Sequence, residues 1–91
     1  MQNETNESER EYKVTVAYNG RPFTEEIAST VPAQVVFNKA VKYFELEGSA
    51  GNLGLFFNGR EMNLAVSLAS QGVPSGSTVL LQPRVVRNGE V

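Results

Sequence analysis

Apolar side chains occupy every second position near the start of the chain, where Val14, Val16 and Tyr18 alternate with Lys13, Thr15 and Ala17. That period belongs to a strand with one buried face. Asn19-Gly20 follows, a pair that tolerates the positive φ of a tight turn. Phe23 and Ile27 then resume the pattern around Thr24 and Glu26. Residues 12–27 therefore predict a β-hairpin. Glu25 falls on the expected inner face, which implies a bulge or an edge position there. Pro22 lacks an N–H and suits a strand start or a sheet edge.

The period then changes. Val36, Ala40 and Phe44 recur every four residues, and Phe37 and Val41 widen the stripe. Gln34, Asn38, Lys39, Lys42 and Glu45 fill the opposite face, so an amphipathic helix is predicted over residues 33–46. Ser29 or Thr30 offers an N-cap, Pro32 sits near the first turn, and Gly48 supplies a stop. Residues 47–54 read as a Gly-rich loop. Its glycines lack phosphate-binding spacing, and no lysine or hydroxyl follows at the required distance.

Residues 55–57 predict a short strand turned by Asn58-Gly59, with Met62 closing a brief partner strand. Residues 64–72 read as a turn or short helical connection, and 73–76 as turn chemistry. Residues 77–81 form the last strand, with Val79 and Leu81 on one face and Leu80 on the other. Pro83 is expected to end regular pairing. One helix on one face of a mixed sheet of four or five strands gives an α+β domain over residues 12–83. Residues 1–11 are almost entirely polar and predict a disordered N-terminal tail. Residues 84–91 predict a flexible C-terminal one.

Composition narrows the function more than the fold. The chain of 91 residues suits one domain, and its 41% hydrophobic content suits a globular one. It contains no Cys and no His, which removes disulfides, thiolate nucleophiles, the usual zinc ligands and imidazole acid–base chemistry. The net charge of -2 gives no field that would draw nucleic acid, and no apolar run has membrane-spanning length. The polar N-terminus is not a signal peptide, so a cytoplasmic protein is expected. No pair of carboxylates or activated hydroxyl supports catalysis. A non-enzymatic protein without cofactor or metal is expected.

The segment Leu55-Phe56-Phe57-Asn58-Gly59-Arg60 resembles Leu-Ile-Phe-Ala-Gly-Lys of the ubiquitin family. The next apolar positions of that family fall on Met62, Leu68 and Val73 without a gap. Its Ser-Thr-Leu-His-Leu strand falls on Ser77-Thr78-Val79-Leu80-Leu81. The resemblance implies a ubiquitin-like β-grasp in which Leu55, Phe57, Leu68, Val73, Val79 and Leu81 face the helix. By parity, Phe56, Leu80 and Ala17 then share the solvent face, with Gly59 making the turn beside them. In ubiquitin-like proteins this face carries the apolar patch that partners recognise, although Gln82 stands where ubiquitin has an outward Val.

The C-terminus, from Arg84 through Arg87, Asn88 and Gly89 to Val91, resembles the ubiquitin tail Arg-Leu-Arg-Gly-Gly if one residue is inserted. The resemblance implies a protein modifier. A processing peptidase would remove Glu90-Val91, and Gly89 would be conjugated through its carboxylate. Arg84 and Arg87 would help an activating enzyme grip the tail, and conjugating enzymes and targets would follow. Asn88 replaces the first glycine of the family pattern, and Arg60 and Ser75 stand at two chain-forming lysine positions. The only lysines are Lys13, Lys39 and Lys42. The short chain and divergent tail point to a bacterial conjugation-like system. The alternatives are a non-conjugated adaptor using the same patch, a sulfur carrier, which wants a free Gly-Gly terminus, and an accessory subunit of a larger enzyme.

Overall fold

In the computed structural model, residues 12–84 are described. Residues 1–11 and 85–91 lie outside them, and with them the candidate residues Arg87, Asn88 and Gly89 and both predicted tails except Arg84. Strands β1 (Tyr12–Tyr18) and β2 (Arg21–Ile27) form the predicted hairpin. Helix α1 (Ala33–Tyr43) follows, then β3 (Leu53–Phe57), β4 (Arg60–Glu61) and β5 (Ser77–Pro83). The strands make one sheet in the order β2-β1-β5-β3-β4. The central pair, β1 with β5, is parallel, and the other pairings are antiparallel.

Both hairpins turn on the same chemistry. Asn19 and Gly20 have φ of 54° and 79°, and Asn58 and Gly59 have 55° and 79°. Two successive left-handed residues match the twist of the flanking strands, and Asn-Gly is the pair that adopts them at least cost. Register then follows: Tyr18 opposes Arg21, and Phe57 opposes Arg60.

The core is one cluster between the sheet and α1. Val14, Val16, Leu55, Val79 and Leu81 come from the strands, and Ala33, Val36, Phe37, Ala40 and Val41 from the helix. Met62, Leu68 and Val73 close it from the connection between β4 and β5. Phe57 is half-buried and packs against its edge. Each fully buried side chain of this size contributes about 1.5–3 kcal/mol.

The predicted conflict at Glu25 resolves without a bulge. Glu25 lies directly opposite Val14 on β2, which is an edge strand. Its carboxylate, 13% exposed, pairs with the Lys39 ammonium on α1 at 3.8 Å. The helix thus supplies a cation where the strand pattern would place an apolar side chain.

The helix boundaries differ from those expected. α1 ends at Tyr43 rather than at residue 46, and Gly48 is not its stop. Glu45 takes φ 59°, its N–H donates to the Lys42 carbonyl, and the Leu46 N–H reaches back to the Val41 carbonyl at 2.8 Å. That bonding pattern terminates a helix with a left-handed residue, here without glycine. Residues after it form a 3-10 turn, Glu47–Asn52, in place of the expected loop, and β3 starts at Leu53. Neither Ser29 nor Thr30 caps α1. The N-cap is Pro32 without any side-chain bond. The free N–H groups of Ala33 and Gln34 instead donate to the carbonyls of Val66 (2.9 Å) and Leu64 (2.8 Å). Pro83 does not end the sheet: it pairs with Leu53, and the Arg84 N–H extends the ladder to the Asn52 carbonyl at 2.8 Å.

The segment that caps α1 is itself held by Gln71. Its Oε1 accepts the Asn63 N–H at 2.7 Å, and its Nε2 donates to the carbonyls of Asn63 (2.8 Å), Val66 (3.2 Å) and Ser67 (3.3 Å). A comparable tie links β1 to the approach to β5: the buried Tyr12 hydroxyl donates to the Val73 carbonyl. Among the described residues no helix is long and apolar enough to cross a membrane.

Two predictions follow from these ties. Gln71→Ala should lower unfolding free energy by about 1–3 kcal/mol in a denaturant titration, because several backbone groups lose their partner. Burial pushes the Tyr12 hydroxyl above its ordinary value of 10.0. Folding therefore favours its protonated form, and that stabilisation is present below pH 10 and lost as pH rises through the higher folded value. Melting temperature measured against pH should show a smaller alkaline decline in Tyr12→Phe than in the native chain.

Candidate functional site

The sheet has one face under α1 and one face open. Because side chains alternate along each strand, burying Val16, Val79, Leu81 and Leu55 forces Ala17, Leu80 and Phe56 onto the open face. Pairing then aligns them. Ala17 opposes Leu80 across β1 and β5, and Leu80 opposes Phe56 across β5 and β3. Pro22 extends this row at one end and Glu61 at the other.

The row is apolar at its centre and polar around it. Leu80 is 46% exposed, while Ala17 and Phe56 are half-buried. Phe56 is less exposed than the sequence reading expected. Its ring edge lies 3.4 Å from where a Cβ on Gly54 would stand, so the ring leans into the space that glycine leaves. On the β1–β2 side, the Thr15 and Thr24 hydroxyls bond at 3.0 Å and Lys13 pairs with Glu26 at 3.6 Å. On the β4 side, Arg84 Nε lies 2.7 Å from Glu61 Oε2. Gly59 sits exposed in the β3–β4 turn, where its positive φ sets the hairpin. It brings no side chain to the row.

Solved structures share this fold. The UBL domain of Plasmodium falciparum Dsk2 aligns with a TM-score of 0.67 and 19% identity, covering 80% of this chain and 97% of that one. Caldiarchaeum subterraneum ubiquitin aligns at 0.69 and 24%, covering 82% and 95%. The N-terminal ubiquitin-like domain in the 4931431F19Rik protein aligns at 0.69 and 23%, covering 85% and 78%. The fold is the ubiquitin-like β-grasp. No protein-family model matches the chain, and no curated protein matches it in sequence.

Within this ubiquitin-like fold, Ala17, Leu80 and Phe56 are brought together, and Gly59 and Arg84 flank them. The sequence reading missed Glu61, whose carboxylate meets Arg84, and Gly54, over which that pair lies. It also missed an aromatic group on the helix side. Phe23 stacks on Tyr43 with centroids 4.3 Å apart and planes at 18°. Phe44 meets Tyr18, Phe23 and Tyr43 at tilted or edge angles, and the Arg21 guanidinium stands 5.9 Å above its ring. Tyr43 is 56% exposed, with one face covered by Phe23. The helix stripe pointed to Phe44 and the strand alternation to Phe23, but no local pattern singles out Tyr43.

The two faces separate in a stability measurement. Leu80→Ala should shift unfolding free energy by less than about 0.5 kcal/mol, as surface substitutions do. Leu81→Ala, one residue along the same strand and 2% exposed, should cost about 2–5 kcal/mol.

Proposed function

We propose that this chain is a ubiquitin-like protein modifier. Protein partners engage the open sheet face at Leu80 and Phe56, and the chain is attached to targets through the carboxylate of Gly89. The aligned row of Ala17, Leu80 and Phe56 supports the binding half of this reading. An apolar patch on an exposed face, rimmed by polar groups, is the kind of surface that marks a protein interaction site.

The tail sequence supports the covalent half. Hydrolysis of the peptide bond after Gly89 releases Glu90-Val91 and leaves a carboxylate. An activating enzyme joins that carboxylate to ATP, forming an acyl adenylate and releasing pyrophosphate. A partner thiol then displaces AMP to give a thioester, and a target amine displaces that thiol to form the isopeptide bond. Glycine suits the donor position because it has no side chain to block a narrow channel. The chain supplies the acyl group and the recognition surface, and the partner enzymes supply catalysis and nucleotide.

A second reading is a non-conjugated adaptor that uses the same row with no role for the tail. Two of the similar structures are named as ubiquitin-like domains of other proteins, and one is named as a ubiquitin, which is the observation behind keeping both.

Intact mass of the protein from its native host separates them. The modifier reading expects a species ending at Gly89, or adducts built on it. Full-length chain ending at Val91 under all conditions, with its processing and conjugating partners expressed, would overturn that reading and leave the adaptor.

A further inference from the structure

We propose that Glu61 is a positioning residue for the C-terminal exit: it latches Arg84 across Gly54 and so holds the end of β5 on the sheet. Three observations meet at this point. The Glu61 carboxylate and the Arg84 guanidinium are 2.7 Å apart, a short charge-assisted contact. The Arg84 N–H bonds the Asn52 carbonyl at 2.8 Å, so backbone and side chain of Arg84 are both engaged. A Cβ on Gly54 would stand 3.0 Å from Glu61 Oε2 and 3.1 Å from Arg84 Cγ, so the pair lies in the space that this glycine leaves.

β4 is only two residues long, Arg60 and Glu61, and it pairs with the far end of β3. The Glu61–Arg84 contact is therefore a side-chain tie between the outermost strand and the chain leaving β5. A peptidase or an activating enzyme that needs the backbone after Pro83 in an extended channel must lift Arg84 from the sheet. Glu61 opposes that step. For its use in processing, the inference rests on the modifier reading, whereas the latch itself is measurable with no partner.

The probe is trypsin, which cleaves after arginine and must seat the Arg84 side chain in its own acidic pocket. Native full-length chain is digested at low enzyme, and the rate of cleavage after Arg84 is divided by that after Arg87. The ratio cancels effects on the protease itself. Glu61→Gln should raise the ratio about two- to fivefold, the range set by a solvent-accessible ion pair. Gly54→Ala, which keeps both charges and puts a Cβ 3.0 Å from Glu61 Oε2 and 3.1 Å from Arg84 Cγ, should raise it as well. Raising salt from about 0.05 to about 0.5 M should raise the ratio in the native chain and not in Glu61→Gln, because screening weakens only an intact pair. An unchanged ratio in both variants overturns the latch. So does a rise matched by equal acceleration at Lys39 within α1, which reports global opening instead. A failed modifier test would leave these ratios untouched, so the two ideas fail separately.

Discussion

The parallel pairing of β1 with β5, with Val16 opposite Val79, is the contact on which the rest of the domain depends. It joins two strands 59 or more residues apart at the centre of the sheet, and it fixes the parity of both. With Val16 and Val79 buried, their neighbours Ala17 and Leu80 have only the opposite face to occupy. Antiparallel pairing with β3 carries the same division to Leu55, inside, and Phe56, outside. The core and the candidate site are thus two readings of one register. A slip of one residue would expose the first and bury the second.

Around that centre, the ends of the elements are satisfied by distant groups. The first N–H groups of α1 find carbonyls in residues 64–66, and those residues are gathered by the Gln71 amide. The edge strand β2 carries Glu25 on its inner side because Lys39 of the helix reaches it. Such exposed and half-exposed pairs are each worth little to stability. The contact between Glu25 and Lys39 links the edge strand β2 to α1.

Local chemistry made much of this legible. The alternation around Val14, Val16 and Tyr18, the two Asn-Gly turns, the four-residue period of Val36, Ala40 and Phe44, and the resemblance of residues 55–81 to the ubiquitin family placed the strands, the helix and the open-face row. The features not legible depend on contacts far apart in sequence. Glu45 in the left-handed region carries no glycine signal, so a helix end there is not legible, and Gly48 is the nearer sequence signal. The carbonyl cap on α1 cannot be read from Ser29 or Thr30, because its donors and acceptors lie some thirty residues apart. Glu61 and Arg84 become partners only once β4 and the end of β5 flank β3. Alternation puts Phe56 on the outward face, but its partial burial depends on the missing side chain of Gly54.

A sheet covered on one side by α1 and open on the other leaves this chain one exposed sheet face. Leu80 and Phe56 supply apolar contact at its centre, and Thr15, Thr24 and the Lys13–Glu26 and Glu61–Arg84 pairs supply the rim. The most direct test of the proposal that partners bind the open face is site-specific photocrosslinking in the native host, with the reactive side chain placed at position 80 or, on the exposed outer side of α1, at position 42. Discrete protein adducts from position 80 and none from position 42 are predicted. Adducts from position 42 alone, or none from position 80, would contradict the assignment of the open face as the surface through which the protein acts.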